Sequence, residues 1–217
     1  MESTTGRCLV KALRLFGLLL CLLIAPVTAR AQVFGQYMGA EIVPVGGHLF
    51  GGYLQASQDQ LGLLAQLRLS FYPGVDFGFH GGLTRIQVGS SDRTSVRIGG
   101  DVKFQLVSQG SLLISAGGAL GVETGDDFSV LTLGPTVVAS QRFPVGSGAI
   151  TPYGGLGLMF SNLDVLGEQD TDFSVPFRFG AEFEMAPELK MVTEIQLRAS
   201  DQVNDDFSLA IGVNLPF

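Results

Sequence analysis

Residues able to perform acid–base or nucleophilic chemistry are few in this chain. The histidines are His48 and His80, and acyl transfer by a Ser–His pair needs the two side chains within hydrogen-bond reach. Ser70 and His80 fall on neighbouring segments, which allows such a contact, but a histidine satisfied by interior hydrogen bonds is the commoner arrangement. The sequence also lacks a phosphate-binding loop, a dinucleotide fingerprint and metal-ligand spacing. We therefore expect no catalytic residue, no cofactor and no enzymatic activity.

A larger set of charged side chains stands at alternate positions of otherwise apolar segments. These positions carry both signs of charge, closely mixed with glycine. Isolated ions away from water are costly, so we expect the charges to pair in a network that lines a narrow interior. The predicted network contains Arg68, Arg97, Asp101, Lys103, Arg178, Glu182, Glu184, Lys190, Glu194 and Arg198.

Most of the other acidic residues stand in the connections between these segments. The densest group is Asp164, Glu168, Asp170 and Asp172. It lacks the spacing of a known calcium loop, so we expect no metal site and interpret the acids as a hydrated rim that resists association. The alternative is that this group binds a divalent cation and bridges the rim to lipid phosphates.

The elements that position these residues are strands, because apolar residues recur at every second position. Ten such segments follow one another, near 47–57, 61–71, 76–87, 94–107, 111–122, 128–142, 149–161, 172–184, 188–199 and 206–217. Short turns and longer acidic connections alternate between them, as on the two rims of an up-and-down barrel. We predict an all-β, closed, antiparallel transmembrane β-barrel over 47–217 with about ten strands, eight or twelve being alternatives.

The residues before the barrel predict export. A basic start, the apolar run from Leu15 to Ile24 and Ala29-Arg30-Ala31 form a secretory signal peptide over 1–31, cleaved after Ala31. Both cysteines lie inside that signal, so the exported chain has no disulfide. Nineteen acidic and nine basic residues follow Ala31, a net charge of −10 that argues against nucleic acid.

The segment 32–46 is an N-terminal lead-in whose placement the sequence leaves open. It could pair weakly before the barrel, extend the first strand or enter the lumen. Pro44 and Gly46-Gly47 indicate a break before the first strand.

The chain ends in an alternating strip of apolar residues: Phe207, Leu209, Ile211, Val213, Leu215 and Phe217. This strip resembles the closing strand of bacterial outer-membrane barrels, whose terminal aromatic residue is the signal that the barrel-assembly machinery reads. Together with the signal peptide, the alternating strands and the glycine-rich Tyr153–Gly157 segment, it resembles the opacity/porin-like outer-membrane β-barrel family. Leu215 departs from the aromatic residue often found two positions before the end.

The resemblance implies a bacterial outer-membrane location, with membrane lipid or lipopolysaccharide and the barrel-assembly machinery as partners. The family contains structural, adhesive and channel proteins, so the fold does not decide the function. We expect a structural or surface-interaction role for a monomer whose lumen is largely filled. A narrow porin-like passive channel for small solutes or ions is the alternative, and a soluble exported β-sandwich is the third interpretation.

Overall fold

The computed structural model describes residues 36–58, 60–88, 91–126, 128–165, 168–200 and 206–217. The predicted signal peptide and the first residues of the lead-in lie outside the described residues. Within the described part of the chain, no helix is long and apolar enough to cross a bilayer.

Twelve β-elements follow one another along the chain. They are β1 His48–Ser57, β2 Gln60–Tyr72, β3 Val75–Val88, β4 Ser91–Gln109, β5 Leu112–Thr124, β6 Phe128–Gln141, β7 Phe143–Val145, β8 Gly148–Gly157, β9 Met159–Val165, β10 Glu168–Ala186, β11 Leu189–Ser200 and β12 Asp206–Pro216. The predicted segments coincide with them to within a few residues, except that β4 and β10 are longer than predicted.

The sheet closes on itself as a ten-stranded barrel. Every neighbouring pair is antiparallel, and β12 returns to pair with β1 from Leu49↔Pro216 to Ser57↔Ser208. The elements β8 and β9 lie one after the other between β6 and β10 and follow one register, so they count as a single strand. The element β7 is a three-residue hairpin partner of β8 at one rim. The prediction of a closed barrel with ten strands is confirmed.

The two faces of the wall differ in polarity, and the apolar face is outside. In β2, Leu61 and Leu63 are 57% and 61% exposed, while Gln66 and Arg68 are 2% and 0% exposed. A soluble sandwich would place its apolar face inward, so the sandwich interpretation is wrong. The polar side chains of the strands therefore line the lumen, and the apolar side chains form the outer surface.

The short turns gather at one end of the barrel, which we call the turn rim. Gly74 and Gly110 have positive φ values of 72° and 59° there, a backbone conformation that glycine adopts without steric cost. The first residue of β1 lies at this rim beside the chain terminus, because His48 and Phe217 exchange two backbone hydrogen bonds of 2.9 Å. The strand ends that flank the acidic connections lie at the opposite end, which we call the loop rim.

Candidate functional site

The lead-in enters the lumen with residues 36–40 and Val43, whereas residues 44–46 are exposed. Gln36, Tyr37, Met38 and Ala40 are each no more than 4% exposed. We call residues 36–43 the plug. Of the three placements that the sequence left open, the structure has this segment enter the barrel.

The barrel wall binds the backbone of the plug from several sides. Wall side chains accept hydrogen bonds from three plug N–H groups: Gly39 to Glu182 at 2.5 Å, Ala40 to Ser140 at 3.0 Å and Val43 to Asp76 at 3.1 Å. Wall side chains also donate to plug carbonyls: Lys103 to Gly39 at 3.1 Å and Glu41 at 2.6 Å, Ser115 to Ala40 at 2.5 Å, and Asn214 to Tyr37 at 3.0 Å. Buried backbone polar groups need such partners, and here the partners come from β3, β4, β5, β6, β10 and β12.

Side chains of the plug make further contacts with the wall. The rings of Tyr37 and Tyr53 lie 4.3 Å apart between centroids. Arg178 donates to the Gln36 carbonyl and, at 3.1 Å, to its side-chain oxygen. Burial raises the pKa of the Tyr37 phenol well above its ordinary value, so this ring enters the lumen as a neutral group.

The deepest ionic cluster is a triad of Arg68, Asp76 and Asp101, which joins β2, β3 and β4. The Arg68 guanidinium lies 2.5 Å from Asp76 and 2.7 Å from Asp101, and a second nitrogen donates to Asp101 at 3.0 Å. All three side chains are fully buried. The triad is therefore an ion cluster with no direct contact with solvent, held by charge-assisted hydrogen bonds.

Other ion pairs follow the inner wall at both ends of the plug. They are Arg97–Glu123 at 2.8 Å, Arg198–Asp172 at 2.5 Å, Lys190–Glu41 at 2.6 Å, Lys190–Glu182 at 3.8 Å, Lys103–Asp76 at 3.8 Å and Arg178–Glu194 at 3.9 Å. Nine of the ten predicted network residues thus have an ionic partner on the inner wall or the plug. The tenth, Glu184, pairs with the half-exposed Arg142 at the turn rim at 2.8 Å.

The network predicted from the sequence omits four acids that take part in these pairs: Glu41 of the plug, and Asp76, Glu123 and Asp172 of the wall. The sequence pattern places Asp76 at the start of a strand and the other two wall acids among the acidic connections. The alternation of a strand could have identified the wall acids as inward-facing, because each stands an even number of positions from an inward-facing residue of its own strand. Asp76, for example, precedes Gly78 and His80 by two and four positions.

The histidines and Ser70 do not form a nucleophile–base pair. The Ser70 hydroxyl donates to the carbonyls of Tyr72 at 3.2 Å and Val75 at 2.8 Å. His80 Nδ1 lies 3.6 Å from Asp101, and the ring of His48 stacks on Phe217 at 5.3 Å.

The acidic group at the loop rim is divided between two environments. Asp172 points inward and pairs with Arg198, whereas the exposed Asp170 accepts a 2.8 Å hydrogen bond from the Thr171 N–H. The side chain of Glu168 lies outside the described residues. Among the side chains that the structure does describe, no three histidine, cysteine or acidic groups gather where an ion could be held.

The apolar strip at the chain end faces outward. Phe207, Leu209, Ile211 and Leu215 are 39–49% exposed, and Phe217 is 71% exposed. The alternate residues Ser208, Ala210 and Asn214 are buried at 0–1% on the lumen side. The role of this strip as an assembly signal stays a prediction.

No family model and no curated protein matches this chain. Among solved structures, it is similar to an outer membrane channel from Pseudomonas putida F1, with 13% identity, TM-score 0.48, and coverage of 86% of this chain and 100% of that one. It is also similar to the β-domain of the Bordetella autotransporter BrkA, with 11% identity, TM-score 0.47, and coverage of 79% and 98%. The N-terminal β-barrel domain of Pseudomonas aeruginosa OprF has 6% identity, TM-score 0.39, and coverage of 80% and 98%.

These structural neighbours are bacterial outer-membrane β-barrels. Their TM-scores lie below 0.5, so the fold assignment rests on the strand pairing of this chain itself. That pairing makes the chain a closed, ten-stranded antiparallel β-barrel, apolar outside, with a polar lumen that contains its own N-terminal segment.

Proposed function

We propose that this chain is an integral protein of the bacterial outer membrane with a structural or surface-interaction role, and that the plug and the ionic network keep its lumen closed. The observation that carries the proposal is the burial of residues 36–40 and Val43 of the plug inside a barrel whose outer surface is apolar. A narrow passive channel is the competing function.

The outer surface supports a membrane location. Leucine, isoleucine, valine and phenylalanine project outward along all ten strands, and contiguous exposed apolar surface beyond a few hundred Å² is rare on soluble monomers. In a bilayer that surface meets lipid, while strand pairing around the closed ring satisfies the backbone. The predicted signal peptide supports the same location.

The inner surface supports closure. Barrels of about eight strands have interiors just wide enough for side chains to fill, and a ten-stranded barrel is somewhat wider. Here the additional width is occupied by the plug, which contacts wall residues on both halves of the ring. Lys103 spans two of its carbonyls and Glu182 accepts from its Gly39 N–H, so the plug is bound by specific polar contacts.

Planar-bilayer recording tests closure. We expect the intact chain to insert without unitary conductance steps, and a variant that lacks residues 36–43 to give stable steps. Arg142→Ala, which changes an exposed pair at the turn rim and leaves the plug intact, is the matched control and should stay silent.

Two outcomes would contradict the proposal. Stable unitary steps from the intact chain would make it a passive channel. A silent deletion variant that still shows the heat-dependent gel shift of a folded barrel would mean that the plug does not close the lumen. The membrane location has its own test, because a folded intact chain that stays soluble without detergent or lipid would refute it.

A further inference from the structure

The wall of the barrel has a local irregularity at Leu158, the one residue between β8 and β9, although the register continues through it. The register places Leu158 opposite Pro135 of β6 and Gly157 opposite Pro176 of β10. Proline has no N–H, so it cannot donate to a ladder, and inside sheets it is confined to edges and bulges. A closed barrel has no edge, yet both neighbours of this strand carry a proline, and the two prolines stand opposite consecutive residues of it.

Backbone contact at this point is reduced but not lost. Leu158 N–H donates to the Pro135 carbonyl at 3.0 Å, and Pro135 cannot return that bond. The inward position at this irregularity is Gly157, which has no side chain to thicken the wall. A Cβ there would lie 3.0 Å from the Met159 methyl group, 3.1 Å from the Pro176 ring and 3.6 Å from the Pro135 carbonyl oxygen, so the nearest side chains behind the backbone are apolar.

A cavity lies directly behind the irregularity. Its volume is about 30 Å³, enough for two or three waters. Half of its ten lining residues are apolar, among them Met159, Pro176 and the outward-facing Leu156, and half are polar, among them Gln36 and Arg178. The cavity is thus adjacent both to the lipid-facing surface and to the top of the plug.

One polar group that lines the cavity, the side-chain amide of Gln36, is incompletely satisfied. Gln36 is 4% exposed, its side-chain oxygen accepts from Arg178, and its Nε2 has no hydrogen-bond partner among the residues that the structure describes. A buried amide donor without a partner is destabilising. A ligand or water with one acceptor oxygen would supply the missing partner.

We propose that Gly157–Leu158 is a lateral window through which small, uncharged, lipid-soluble molecules reach the cavity from the membrane. The apolar residues of the cavity lining accept the body of such a molecule, and the Gln36 side-chain amide donates to a single acceptor oxygen on it. Because the cavity is small, larger molecules enter only as the Met159 side chain, which is unbranched and adaptable, moves aside. The inference rests on the proposed membrane location, since the window opens onto the outer surface.

Cysteine labelling in lipid vesicles tests the window. The chain from Gln32 onward carries no cysteine, so each variant has one thiol. Met159→Cys places it in the cavity, and Leu64→Cys is the matched control, because Leu64 is equally buried at 7% but lies on the opposite wall in β2. We expect N-ethylmaleimide, which partitions into lipid, to label Met159→Cys at least tenfold faster than Leu64→Cys, and a charged, membrane-impermeant maleimide to label neither.

Restoring the missing donors should close the window. In the Met159→Cys background, Pro135→Ala with Pro176→Ala returns two N–H groups to the ladder, and we expect the labelling rate to fall to that of Leu64→Cys. Equal rates at positions 159 and 64, no effect of the proline replacements, or equally fast labelling by the charged reagent would each overturn the proposal. Leu158→Cys, 44% exposed on the outside, separates the two hypotheses: labelling by the charged reagent as fast as by N-ethylmaleimide would place this thiol in water and refute the membrane location itself.

Discussion

Replacing Arg68 by methionine tests whether the buried triad holds β2, β3 and β4 together. The change removes three hydrogen bonds and leaves Asp76 and Asp101, both fully buried, without their shared counter-charge. Breaking a buried ion pair costs about 3–5 kcal/mol. Lys103, 3.8 Å from Asp76, compensates part of the loss, so we expect the lower end, about 3 kcal/mol of unfolding free energy.

The chain offers a matched control for this prediction. Arg142 and Glu184 form an ion pair of 2.8 Å, similar in length to the Arg68 contacts, but their side chains are 48% and 26% exposed. Exposed pairs contribute about 0–1 kcal/mol, so Arg142→Ala should change the unfolding free energy by less than 1 kcal/mol. The two replacements therefore separate burial from pairing as the source of the stability.

The assay is guanidinium unfolding in detergent micelles, followed by far-ultraviolet circular dichroism because the chain has no tryptophan. The midpoint should fall in Arg68→Met while the slope stays unchanged. Adding Asp76→Asn and Asp101→Asn removes the stranded charges, and the triple variant should recover about half of the loss. A loss in Arg68→Met no larger than in Arg142→Ala would refute the reasoning.

Three further outcomes follow from named contacts. Gly78→Ala places a Cβ 2.2 Å from Asp101 in the triad and should cost about 2 kcal/mol by overpacking, whereas Gly52→Ala meets nothing within 4 Å and should leave the denaturation midpoint unchanged. Tyr53→Phe removes a hydroxyl that bonds two buried side chains and should cost about 1–2 kcal/mol in the same assay; an unchanged midpoint would contradict this. Deleting Phe217 should reduce the amount of heat-modifiable barrel in cell envelopes severalfold, while Phe71→Ala, an aromatic change at the same rim, should not; equal yields would exclude Phe217 as an assembly signal.

The strands could be predicted from sequence because each faces two different environments. Successive side chains of a strand point to opposite faces, which gives the sequence a period of two. An outward-facing position tolerates few polar residues, so the alternation of apolar and polar residues is visible in the strands. The irregularity at Leu158 was not predicted. Leu156 and Leu158 keep the alternation, and the effect of Pro135 and Pro176 depends on which residue each proline faces across the sheet.

The interior was predictable in part. The sequence pattern places Arg68 and Asp101 in the lumen but not their common partner Asp76. Asp76 stands beside a turn, where the alternation of the strand is only beginning and does not show which way a side chain points. The sequence left the placement of the plug open, with entry into the lumen as one of three alternatives. Its contacts are mostly through the backbone, and a segment that is bound by its N–H and C=O groups needs no recognisable side-chain pattern.

The plug also sets the order in which this chain can fold. Its partners are distant in sequence: Gly39 binds Glu182, 143 residues away, and Tyr37 binds Asn214, 177 residues away. Contacts of such long range form late, because the entropy of closing the loop comes before the contact. Since the plug directly precedes β1 and β1 pairs with β12, it can be enclosed only when the first and last strands meet. Closing the ring and enclosing the plug are therefore a single event.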